Sequence, residues 1–232
     1  MLKKYLVFNL LYFLLLVLVA VVGFISNRSL VFGAMSLACV MLMVFLYTIT
    51  RLQGKFHRRT FIGLFAACAG ALFNVLIPGH HSLILYTTIA GLISAGSFTR
   101  AFYLDFRSAP ELDKSGAKIA ITVCFVVFTA FYFYLRPHLP LMKLPVLICL
   151  FLNALLVMMA AFRNQRVNQS SFKLVLSGVI LLVAANACIA QVFFIKALQP
   201  MGIIIPVLYL GAYYLITLGA AERKLIHTET PV

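Results

Sequence analysis

Apolar residues along the chain fall into eight long runs, each bounded by a short polar or turn-forming segment. The runs cover about 5–25, 30–50, 60–77, 82–106, 118–135, 141–162, 172–195 and 201–221. A helix that crosses a bilayer needs about 20 apolar residues, so each run predicts one transmembrane helix. The punctuation between them is that of helix ends. Arg51, Lys55, Arg58 and Arg59 stop the second run, and Pro78-Gly79-His80-His81 closes the third. Arg107–Ala117, with Pro110 and Gly116, follows the fourth, and Arg136-Pro137-His138-Leu139-Pro140 breaks the fifth. Arg163–Ser171 follows the sixth run, and Lys196 to Pro200 the seventh. The first run lies behind Lys3 and Lys4, the charge order of a signal peptide. It is too long for that role and no A-x-A-like cleavage site follows, so it reads as a retained first helix.

Composition sharpens this picture. Of 232 residues, 64% are apolar and 10% charged, against roughly 45–50% and 25% in soluble domains. A soluble globular protein, a disordered chain and a nucleic-acid-binding module are thereby excluded. No polar loop is long enough for a second domain, so residues 1–232 read as a single transmembrane domain, all-α, a polytopic bundle of eight helices. Net charge is +14, from 19 Lys and Arg against 5 Asp and Glu. Eight spans place 14 of those cations on the side of the N-terminus and 4 on the other, with Arg100 inside the fourth helix. Cytoplasmic loops collect Lys and Arg, so both termini are expected in the cytoplasm, in the plasma (inner) membrane if the chain is bacterial.

Chemistry in such a chain falls to polar groups that the helices keep out of lipid. None of the five carboxylates, Asp105, Glu111, Asp113, Glu222 and Glu229, lies near a helix centre; Asp105 comes closest, at the cytoplasmic end of the fourth span. Arg100 is the one full charge well inside a span, about 9 Å from that end at 1.5 Å per residue. It either snorkels to the headgroups or binds a phosphate or carboxylate with its two-pronged guanidinium. Asn74, Asn153, Asn186, Gln191 and Thr99 are the other deep polar groups, and such residues often simply bond to neighbouring helices. Small residues recur at four-residue spacing at Ala66, Gly70 and Asn74, at Gly91, Ala95, Thr99 and Tyr103, and less strictly from Gly178 to Ala190. These faces predict that the third, fourth and seventh helices meet in the centre. The five cysteines fall inside apolar runs without metal-ligand spacing and read as core residues. His80 and His81 read as loop histidines. No metal site and no cofactor is expected.

The fourth span, Gly91-Leu92-Ile93-Ser94-Ala95-Gly96-Ser97-Phe98-Thr99-Arg100-Ala101-Phe102-Tyr103-Leu104-Asp105-Phe106, resembles the YhhN-type lysoplasmalogenase membrane family, whose members carry G-L-x-x-F-x-x-A-H-x-x-Y-x-x-A-F there. Gly91, Leu92 and Phe106 match, Phe102 stands for Tyr, and Thr99 stands for His with Arg100 beside it. The family's third span ends a small-residue run in Gly-Asp, where this chain has Gly70-Ala71. Its seventh carries G-x-x-x-x-x-x-S-D-x-x-x-A, where Gly178 and Ala190 match and Ala185-Asn186 replaces Ser-Asp. In the last span, Leu208 to Ile216 is similar to the family's Y-Y-x-A-Q-x-L-I, with Tyr213 in place of Gln.

The resemblance implies an eight-span lipid-facing fold and hydrolysis of the vinyl-ether bond of lysoplasmalogens. That reaction needs a general acid to protonate the double-bond carbon and then water at the oxocarbenium carbon. The Asp and His positions of the family are Ala71, Asn186 and Thr99 here, so reduced or lost catalysis is expected. The expected ligand is a membrane lipid or lysophospholipid, its phosphate on Arg100 and its path lined by Thr99, Asn186, Asn74 and Tyr103; Asp105 is the first candidate if a carboxyl acts. A small-solute or lipid transporter and a non-catalytic membrane subunit are the alternatives.

Overall fold

The computed structural model describes residues 5–24, 28–76, 82–110, 112–139, 142–196 and 201–226. The expected features at Lys3, Lys4, His80 and His81 lie outside them. Among the described residues eight helices follow in chain order: α1 (Leu6–Phe24), α2 (Arg28–Thr50), α3 (Gly54–Leu76), α4 (Ser82–Arg107), α5 (Lys114–Leu135), α6 (Lys143–Ala161), α7 (Gln169–Phe194) and α8 (Met201–Ala221). A 3-10 turn, Arg136–His138, follows α5. Among the described residues, seven helices are long and apolar enough to cross a membrane; α4 is not one of them. It has 26 residues and carries Arg100, Asp105 and Arg107 in its last two turns. The architecture is that of a polytopic helical membrane bundle.

Except for α4 and α5, neighbours in sequence pack as antiparallel pairs, α3 with α4 and α7 with α8 most closely, and α2 with α3 next. α4 leans on α6, α6 on α7, and α8 on both α1 and α2, which closes the bundle; α5 lies at the edge against α6. The core runs along the axis through Leu42, Leu46, Leu64, Phe98, Phe102, Val175, Val179, Leu210 and Ile216. Outward-facing positions of α1 and α5, such as Phe13, Phe24 and Phe125, stay exposed, as lipid-facing residues do because the surrounding solvent is itself apolar.

Small residues do permit the closest approaches, and the predicted α3–α4 contact is present, with a Cβ on Gly70 coming 3.3 Å from that of Ala90; α7, however, finds a partner other than the one its small residues predict. A Cβ on Gly178 would stand 2.8 Å from the Ala212 carbonyl oxygen, so α7 meets α8 there rather than α3 or α4. On the α3–α4 seam, Gly63 lies under the Phe98 ring, where a Cβ would come within 2.7 Å. A Cβ on Gly91 would meet nothing within 4 Å. The stripes record where a neighbour comes near without naming it; for α7 the neighbour is α8, the next helix along the chain.

Candidate functional site

Among the described residues, two polar clusters lie inside the bundle. The first gathers at the face where α3 begins and α4, α6 and α8 end. Asp105, in the last turn of α4, is fully buried. Its Oδ2 accepts from Arg163 Nε at 2.7 Å, and its Oδ1 from Arg223 Nε at 2.7 Å. Arg163 belongs to the turn between α6 and α7, and Arg223 to the segment leaving α8. Arg163 also donates from Nη2 to Ser171 Oγ at 3.0 Å, and Ser171 donates on to the Gly219 carbonyl at 2.6 Å. Aromatic faces complete the enclosure: the Arg223 guanidinium carbon lies 4.3 Å from the Phe56 ring centroid, and that of Arg163 lies 5.3 Å from Phe102. Burial pulls the Arg163 guanidinium below its ordinary range, while Asp105 beside it pushes back. Arginine keeps its charge even so, and the arrangement is a carboxylate held by two guanidiniums. His57 Nδ1 and Arg163 Nη1 are buried here without a hydrogen-bond partner among the described residues.

A second arginine fastens the loops around this cluster. Arg166 is 1% exposed. It donates to the backbone carbonyls of Ala109 at 2.7 Å and Pro110 at 3.2 Å, and also to those of Leu112 and Phe162. Burial lowers its pKa and Asp113 raises it. The guanidinium thus satisfies carbonyls from the α4–α5 and α6–α7 turns at once, which a lysine's single ammonium would not match. The chain beyond α8 is tied to the same turn: Asn168 N–H donates to the Lys224 carbonyl at 3.0 Å and Ile226 N–H to that of Arg166 at 3.0 Å.

The second cluster lies deep between α6, α7 and α8. Asn186 Nδ2 donates to Asn153 Oδ1 at 2.8 Å, and the Tyr209 hydroxyl donates to Asn186 Oδ1. Asn153 Nδ2 in turn donates to the Cys149 carbonyl at 2.8 Å. Every donor and acceptor in this chain of contacts is neutral, so it orders three helices and offers no acid.

The residues expected in one lining are spread over the molecule. Arg100 is exposed on the outer face of α4, and Tyr103 is 47% exposed on the same helix. Thr99 donates back to the Ala95 carbonyl at 2.8 Å, and Asn74 donates to that of Gly70 at 2.9 Å. Asn186 belongs to the deep amide cluster, and Asp105 to the buried ion cluster at the end of α4. Arg163, Arg166, Arg223 and Tyr209 carry these clusters and were not singled out by sequence. The available signal was a lone carboxylate near a helix end, on the face where most of the cations lie.

An all-helical bundle with its charge clustered at one face and neutral amides at depth defines an integral, multi-pass membrane protein. The chain matches the YhhN family over residues 29–220, and it belongs to that family, the lysoplasmalogenase family. No curated protein and no solved structure matches it.

Proposed function

We propose that this chain is a lipid-binding member of the family in which vinyl-ether hydrolysis is reduced to a trace. The observation that carries the reading is the state of its acids. Protonating a vinyl-ether carbon near neutral pH requires a positioned acid, and such a group contributes about 10²–10⁴-fold. Asp105 is the one buried carboxylate among the described residues, and both its oxygens are taken by arginine donors. By the resemblance, Ala71, Asn186 and Thr99 stand where the family has Asp and His. Ala71 is buried on α3, Asn186 is held by Asn153 and Tyr209, and Thr99 bonds its own helix. What remains is an apolar scaffold suited to an amphiphile.

The test is aldehyde release from a lysoplasmalogen by the purified protein in detergent. The expected result is a rate at the limit of detection. Robust release by the wild-type chain overturns the proposal. Lipid mass spectrometry of the purified protein checks the other half, with a co-purifying single-chain phospholipid expected.

A further inference from the structure

The outer seam between α3 and α4 carries an apolar groove with two arginines at one end. The groove has a volume of about 360 Å³ and is lined without polar surface. On α3 its wall follows Ile62, Ala66, Ala69 and Phe73, and on α4 it follows Tyr86, Ala90 and Ile93. These are three- and four-residue steps, so each set forms one helix face. Ala66 and Ala90 give a low floor and are buried, while Ile62 and Ile93 rise as half-exposed walls. The Phe73 and Tyr86 rings, 5.8 Å apart between centroids, close the far end. Continuing the α3 face three residues back from Ile62 reaches Arg59, and continuing the α4 face seven residues on from Ile93 reaches Arg100.

The two arginines meet across the seam, since Arg59 Nη1 donates to the Arg100 backbone carbonyl at 2.9 Å. Neither guanidinium has a carboxylate partner among the described residues; Asp105 is engaged by Arg163 and Arg223. From Ile62 to Phe73 the groove runs about 16 Å at 1.5 Å per residue, close to half of a hydrocarbon core about 30 Å thick. We infer that this seam is a binding site for an anionic phospholipid, with its phosphate between Arg59 and Arg100 and one acyl chain along the groove.

Charge decides which headgroup. Lys55 and Arg58 flank Arg59 on the first turn and a half of α3, and both are exposed. A choline or ethanolamine headgroup would bring its own cation into this field, whereas a glycerol headgroup leaves the phosphate charge uncompensated for the arginines to take. The site faces the membrane and uses none of the residues at the family's acid positions. Its test therefore does not depend on turnover.

The experiment is a lipid titration followed by native mass spectrometry on the full chain in neutral detergent, using phosphatidylglycerol, phosphatidylcholine of the same acyl chains, and glycerol phosphate. Phosphatidylglycerol is expected to bind more tightly than phosphatidylcholine, and glycerol phosphate not to compete. Arg100→Gln should weaken phosphatidylglycerol about fivefold, the effect of one interfacial cation, and leave phosphatidylcholine unchanged. Ala69→Phe, which fills the groove, should weaken both lipids. Equal binding of the two lipids, competition by glycerol phosphate, or an Arg100→Gln variant that folds and binds as wild type would each overturn the inference. Arg100 is exposed, so its replacement tests the headgroup without disturbing the core.

Discussion

At the residue scale, Asp105 shows what a single buried charge demands of its surroundings. Removing its carboxylate leaves Arg163 and Arg223 facing each other with no counter-charge, and Arg223 already disfavours the charged form of Arg163. Breaking a buried pair in this way costs about 3–5 kcal/mol, although replacing the whole set by apolar groups is often neutral. Asp105→Asn should therefore destabilise the fold by that order, read as a lower unfolding midpoint in detergent. Adding Arg163→Met should recover part of the loss. An unchanged midpoint for Asp105→Asn would show that the cluster bears no load. Sequence located Asp105 at the end of α4, but its partners lie 58 and 118 residues away. Counted as loop cations, Arg163 and Arg223 look like any others, because a charge tally treats every loop cation as solvated. Arg100 was legible as an intramembrane charge. Its outward face was not, because a helix that is apolar on all sides gives no clue to which side meets lipid.

At the scale of elements, all eight helices were readable as apolar runs, while their polar ends were not. α3 starts at Gly54 and α5 at Lys114, ahead of the apolar runs that begin at Thr60 and Lys118. The extra turns hold Lys55, His57, Arg58 and Ser115. Hydropathy marks the hydrocarbon boundary, and a helix continues past it into the headgroups. Helix adjacency was less legible, since a small residue records a close approach without naming the partner. Gly178 and Gly91 make the contrast testable. A Cβ at Gly178 would meet the Ala212 carbonyl oxygen at 2.8 Å and the Ile216 nitrogen at 3.0 Å, both backbone atoms that cannot yield singly. Gly178→Ala should thus cost about 1–3 kcal/mol through overpacking. Gly91→Ala meets open space, and should hold or raise stability by up to about 1 kcal/mol through helix propensity. Unfolding midpoints of the two variants decide it, and equal effects would refute the α7–α8 contact.

At the scale of the whole molecule, one face gathers the starts of α1 and α3 and the ends of α2, α4, α6 and α8. Phe8 of α1 stacks on Phe45 of α2 with ring centroids 4.0 Å apart, which brings the beginning of the chain to the end of α2. Asp105 brings the ends of α4 and α8 and the α6–α7 turn to one point. Both ends of the described chain therefore share a face, as an even number of crossings requires. That face carries Arg51, Lys55, Arg58, Arg59, Arg107, Lys114, Lys173 and Lys224, while the opposite one has Arg136 and Lys143 among few others. The bias of Lys and Arg in short loops sets orientation during insertion, so the crowded face should lie in the cytoplasm. Single cysteines placed at Gln53 and at His138, both exposed, test this in a background without the five native cysteines. In intact cells, a membrane-impermeant maleimide should label the His138 site and spare the Gln53 site until the membrane is opened. Labelling of Gln53 from outside would invert the orientation, and labelling of both from outside would break the eight-helix crossing itself.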